Sequence, residues 1–120
     1  MVNVKVNYSI NNIMIDIDDT LLLWDDIQKK TKDKVEMIYA GKKIYLTPHN
    51  GHIDLIKHWH EQGYCLYAWS NNGPKWAKNA IKKLKLKKYI YHVMNKSSKF
   101  LDDLEADKIL GSRVYLAVKK

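Results

Sequence analysis

The run IMIDIDDTL places Asp16, Asp18 and Asp19 together at the end of an apolar stretch. Carboxylates held this close repel one another, so they stay ionised only beside a cation, or one of them keeps a proton. Both states serve phosphoryl transfer: a cation neutralises phosphate oxygens, and a protonated aspartic acid donates to a leaving group. A ligand set made only of oxygen favours magnesium over zinc or copper. A second acid pair, Asp102 and Asp103 in KFLDD, can complete that metal site from a neighbouring strand. Between the two acid groups, Ser70 closes the run YCLYAWS and offers a phosphate its hydroxyl, with the amides of Asn71 and Asn72 beside it. Lys96 stands before the second pair and supplies a point charge for a phosphoryl oxygen. Lys99 is the alternative, but three residues from Asp102 it sits too close to the pair along a strand.

These residues need elements to hold them. The segment from Ile10 to Ile17 reads as a strand running into a loop, and if the strand persists, Asp16 and Asp18 lean to one side while Ile15 and Ile17 face the other. VEMIYAGKKIYLT has two β-rich runs flanking Ala-Gly-Lys-Lys, which signals a hairpin. HIDLIKHWHEQG repeats Ile53, Ile56 and Trp59 or His60 at helical spacing, with Gly63 as its stop. YCLYAWS is a buried strand, NNGP a turn, and residues 75–85 form a helix with Trp76, Ala80, Ile81 and Leu84 on one face. YIYHVM, KFLDD and RVYLAV read as further strands and ADKIL as a short helix, while the alternation in MVNVKVNYSI suggests an edge strand. Strands alternating with helices predict an α/β fold with a mostly parallel sheet, whose ligands bind at the carboxyl ends of the strands. Asp16, Asp18, Ser70, Asp102 and Asp103 all fall at such ends in this reading.

At these residues the chain resembles the haloacid-dehalogenase superfamily. Its first motif, an apolar strand ending in DxDx(T/V), is matched by Asp16 to Thr20; its second, a strand ending in Ser or Thr, by Ser70. Lys96 matches the lysine of the third motif, and Asp102 and Asp103 the acid pair of the fourth, so all four occur in order from about Ile13 to Asp103. The resemblance implies a Rossmann-like sheet flanked by helices and a magnesium-dependent phosphatase. Asp16 would attack phosphorus to form an aspartyl-phosphate, and Asp18 would protonate the leaving group and then deprotonate water. Asp16, the Asp18 carbonyl and one of Asp102 or Asp103 would hold Mg2+, with Ser70 and Lys96 on the phosphate. The spacing leaves room only for a hairpin flap and one helix before Ser70, with no cap domain, and the short, basic form with KFLDDL and GSRVYL resembles small capless members encoded by tailed bacteriophages. An open site of this kind suits a large phosphorylated substrate.

The chain of 120 residues, with 46% apolar content, fits one domain spanning residues 1–120. No apolar run approaches the roughly 20 residues of a membrane span, and the N-terminus has no signal-peptide pattern, so a cytoplasmic protein is expected. Cys65, the single cysteine, reads as a buried strand residue, and His58 and His60 point to different helix faces rather than to a shared metal. Asp25 and Asp26 read as a solvated loop, and Trp24 and Trp69 as core or flap packing. A net charge of +8 favours anionic partners: a phosphorylated small molecule, a nucleotide or a nucleic-acid end. The lysine-rich helix raises the alternative of a nucleic-acid-binding protein that keeps the fold without the activity. A phosphoacceptor receiver domain is a further alternative, but the mid-chain strand ends in Ser70 where that architecture needs an aspartate.

Overall fold

The computed structural model describes residues 11–118. A parallel sheet is built from β1 (Asn12–Asp16), β5 (Cys65–Ser70) and β6 (His92–Asn95), in the order β1-β5-β6. A second, antiparallel sheet contains β2 (Leu22–Leu23), β3 (Val35–Tyr39) and β4 (Lys42–Pro48), in the order β2-β4-β3. Helices α1 (Asn50–Glu61) and α2 (Pro74–Lys83) are the crossovers of the parallel sheet, and α3 (Ala106–Ile109) follows it. The chain is therefore α/β, as its alternation of periods predicts. Among the described residues no helix is long and apolar enough to cross a membrane.

Strand β5 is central, and Cys65, Leu66, Ala68 and Ser70 are all buried. That is the near-continuous burial expected of a parallel strand with neighbours on both sides. The core joins Ile15 and Ile17 to Leu66, Ala68, Ile56 of α1 and Ala77, Ala80 and Ile81 of α2. Trp59, rather than His60, packs against it from α1. Register places Asp16 opposite Trp69 and Ser70 opposite Asn95, so the carboxyl ends of three strands meet at one edge.

The flap is the hairpin β3–β4. Its turn is Ala40–Gly41, with φ of 50° and 78°, the left-handed pair that a two-residue hairpin of matching twist requires. Lys42 and Lys43 belong to β4 rather than to the turn. Helix α2 ends with Lys85 at φ 59°, while the Lys85 and Leu86 amides donate to the Lys82 and Ile81 carbonyls, a Schellman closure without glycine.

Two expected strands are absent among the described residues. KFLDD is exposed and irregular, and the Asp102 carboxylate accepts from the Leu104 amide, a local turn that competes with strand pairing. RVYLAV pairs with no strand among the described residues, and the amide and carbonyl of Leu116 are taken by histidine side chains. The expected edge strand in MVNVKVNYSI lies outside the described residues.

Candidate active site

Strand β1 ends at Asp16, so Asp18 is placed by a turn and not by strand alternation. The Ile17 carbonyl accepts from the amides of Thr20, Leu21 and Leu22 at 3.2, 2.8 and 3.1 Å, and Asp19 takes φ 58°. This tight return brings the Thr20 hydroxyl to one Asp16 oxygen at 2.9 Å. The other Asp16 oxygen pairs with Lys96 Nζ at 3.1 Å. The ammonium comes from the residue after β6, whose own amide donates to the Ser70 carbonyl at 3.2 Å, and it lies 5.8 Å from the Trp69 ring centroid. Lys96, not Lys99, therefore reaches the acid turn. Both partners of the ion pair remain about 30% exposed (29% and 30%), so a solute can reach them.

Asp18 is held differently. Its Oδ1 accepts from the indole N–H groups of Trp24 at 2.9 Å and Trp76 at 3.0 Å. Its Oδ2 accepts from the Ser70 hydroxyl at 3.2 Å and the Asn72 side-chain amide at 3.0 Å. Two donors on each oxygen satisfy the carboxylate without a counter-cation. Ser70 is fully buried, and its hydroxyl accepts from the Asn72 amide while donating to Asp18, so it is committed within the protein rather than open to a phosphate. Asn71 is exposed beside it. Trp24, Trp76 and Tyr39 of the flap form an aromatic cluster, with ring centroids 5.1 to 6.0 Å apart, that joins the flap to α2 over Asp18.

The second acid pair does not join this site. Asp102 and Asp103 are exposed in the irregular segment after Lys96, where the Leu104 amide, and then Asp103, hold the Asp102 carboxyl below its ordinary value. Among the described residues no group of three or more carboxylate, imidazole or thiolate side chains converges on a point. Asp16 is engaged by Lys96 and Thr20, and Asp18 by four donors; as arranged, these residues do not form the oxygen cage that magnesium takes. In this arrangement Lys96 supplies the positive charge at Asp16.

Several residues at the site carry no signal in the sequence. Trp24 and Trp76 read as packing positions, and only the fold turns both indole N–H groups onto one carboxylate. His49 and His52 are likewise unremarkable in the chain, yet both are buried beside the acid turn. Cys65 is buried without a disulfide partner, in line with its strand position. A groove of about 1140 Å3 runs from Asp16 and Lys96 along β1 to α1 and is walled by residues 109–115. Comparison of the chain with family models, with curated proteins and with solved structures finds no match.

Proposed function

We propose that the chain is a phosphomonoester hydrolase of the haloacid-dehalogenase type, with Asp16 as nucleophile. The observation that carries this reading is the convergence at Asp16. A reachable carboxylate stands at the carboxyl end of a parallel strand, with an ammonium at 3.1 Å on one oxygen and a hydroxyl at 2.9 Å on the other. Lys96 draws an anionic phosphate to the carboxylate and offsets the charge that builds up during attack. An Asp16 oxygen bonds to phosphorus as the bond from phosphorus to the leaving oxygen breaks. Water then attacks phosphorus, the bond to Asp16 breaks, and the carboxylate returns with release of inorganic phosphate. Asp18 is the acid–base group of this scheme: it gives a proton to the leaving oxygen and recovers one from the attacking water. For that Asp18 gives up one of its four donors and enters the cycle with a proton taken from water on the freed oxygen, the same proton that the attacking water later restores. The open approach and the net charge of +8 favour a nucleotide or a phosphorylated nucleic-acid end as substrate.

The test is phosphate release from p-nitrophenyl phosphate, nucleotides and 3′- or 5′-phosphorylated oligonucleotides, with and without added magnesium. Turnover by the native chain and its loss in Asp16→Asn are expected. Full activity in Asp16→Asn, or no turnover on any substrate of the panel, would overturn the assignment.

A second reading, polyanion binding without catalysis, is favoured by one observation. Lys75, Lys78, Lys82, Lys83, Lys85, Lys87 and Lys88 are all exposed along α2 and the turn after it, and none is paired with an acid among the described residues.

A further inference from the structure

His49 and His52 are stacked, with ring centroids 3.6 Å apart and planes within 5°. Their hydrogen bonds assign opposite tautomers. His52 Nε2 accepts from the Leu116 amide at 2.8 Å, so its proton is on Nδ1, which donates to the Thr20 carbonyl at 2.6 Å. His49 Nδ1 accepts from the His52 amide at 3.1 Å, so its proton is on Nε2, which donates to the Leu116 carbonyl at 2.9 Å. One ring takes the amide of Leu116 and the other its carbonyl, as a neighbouring strand would. Tyr115 packs edge-on against both rings and donates its hydroxyl to the Asp19 carbonyl at 2.8 Å. Gly51 keeps room for the arrangement: a Cβ there would lie 3.3 Å from His49 Cε1. Through Thr20 and Asp19, the segment is tied to the turn that carries Asp16 and Asp18.

We propose that His49 and His52 form a backbone-reading clasp whose occupant is this chain's own residues 113–118, held as a strap along the acid groove, and that a proton on the pair releases it. The clasp stands on its own geometry, whatever reaction the groove serves. A proton on His52 Nε2 would face the Leu116 amide, donor against donor, and break the bond. A proton on His49 Nδ1 would face the His52 amide at the positive N-terminus of α1, and two stacked imidazolium rings repel.

The groups around His52 are His49 and Tyr115 in contact, Asp16, Asp18, Asp19, Lys96 and Arg113 along the same groove, and exposed Asp54 on its own helix. Burial holds the His52 imidazole below its usual 6.5, the Thr20 carbonyl raises it, and His49 lowers it further. A freed His52 thus binds a proton more readily than a clasped one. Clasping is at full strength above about pH 6.5 and weakens as pH falls through the window below it.

The experiment uses the full chain. Nitrogen NMR of the imidazoles identifies the tautomers, and amide hydrogen exchange follows residues 113–118 over the same pH range. Expected at pH 7.5 are the Nδ1–H form at His52, the Nε2–H form at His49 and a protected Leu116 amide. On acidification the charging of His52 and faster exchange of the strap should coincide. Leu116→Pro removes the donor at a residue 40% exposed, and the same spectra check that the rest of the fold is unchanged. It should speed strap exchange about two- to ten-fold at pH 7.5, the equivalent of the one hydrogen bond that the lost amide made to His52, and move His52 titration back toward the ordinary imidazole range. Identical tautomers, strap exchange indifferent to His52 charging, or an unmoved His52 titration in Leu116→Pro would overturn the clasp.

Discussion

At the scale of single residues, Asp16 and Asp18 of the acid turn have been given opposite surroundings. Asp16 meets a partly exposed ammonium and stays reachable, whereas Asp18 is fastened by Trp24, Trp76, Ser70 and Asn72. A nucleophile must be able to approach phosphorus, while a proton-transfer group gains from being held in one place. Each indole bond to Asp18 is charge-assisted and partly screened, so Trp24→Phe and Trp76→Phe should each lower unfolding free energy by about 1–2 kcal/mol. Chemical denaturation measures this directly. If phosphate release is present, both variants should lower kcat more than they change KM, because neither indole touches the charge that captures the phosphate. Two unchanged denaturation midpoints would mean that the indole bonds contribute nothing.

Elements decide which of these residues meet. The tight turn on the Ile17 carbonyl, the equal ends of three parallel strands and the α1 N-terminus bring together side chains far apart in the chain. Among the described residues four that are not glycine adopt left-handed conformations, Asp19, Asp26, Ala40 and Lys85, and aspartate tolerates that region better than alanine or lysine. Ala40 at φ 50° and Lys85 at φ 59° each carry the Cβ penalty of that region, roughly 1 kcal/mol. Ala40→Asn and Lys85→Gly should therefore each stabilise the protein by about 0.5–1 kcal/mol, read as a rise in thermal midpoint without change of fold. Asn suits the hairpin position because it tolerates φ above zero there; Gly suits the helix stop because it removes the Cβ altogether. Lower midpoints would mean that Lys85 or Ala40 makes a stabilising contact that outweighs its conformation.

On the scale of the whole molecule, charge is sorted by surface. The acids of the turn are met by Lys96 and hydrogen-bond donors, while the seven lysines of α2 and its following turn face water without acidic partners among the described residues. On the second functional reading these lysines would bind a polyanion by releasing its counterions, and affinity should then fall linearly with salt on a logarithmic scale. Replacing Lys82 and Lys83 with Ser should lessen that slope by about 1 for every phosphate that the lysines had neutralised, measured by titrating a labelled oligonucleotide at several salt concentrations. A slope unchanged by the substitutions would place any binding surface elsewhere. The same measurement separates the two functional readings, since loss of oligonucleotide binding with phosphate release intact makes the lysine face a docking surface, not the source of activity.

Composition, period and motif spacing in the sequence alone determined the α/β class, the hairpin flap, both crossover helices and the burial of β5, because these follow from local patterns of apolar residues. They also singled out Asp16, since a carboxylate closing an apolar strand has no packing purpose, while the motif resemblance favours Lys96 over Lys99. Tertiary structure alone decided the rest. Asp18 left the strand because the turn begins at Ile17, and its partners Trp24, Trp76 and Asn72 come from three separate segments. Asp102 and Asp103 stayed apart from the site because a local turn at Leu104 competes with strand pairing. RVYLAV has strand periodicity, but the partners of its Leu116 are two imidazoles of α1 and its cap, and hydropathy carries no record of which donor will meet which acceptor. Burial is written in the order of residues; hydrogen-bond partnership between distant segments is settled only when the chain has closed.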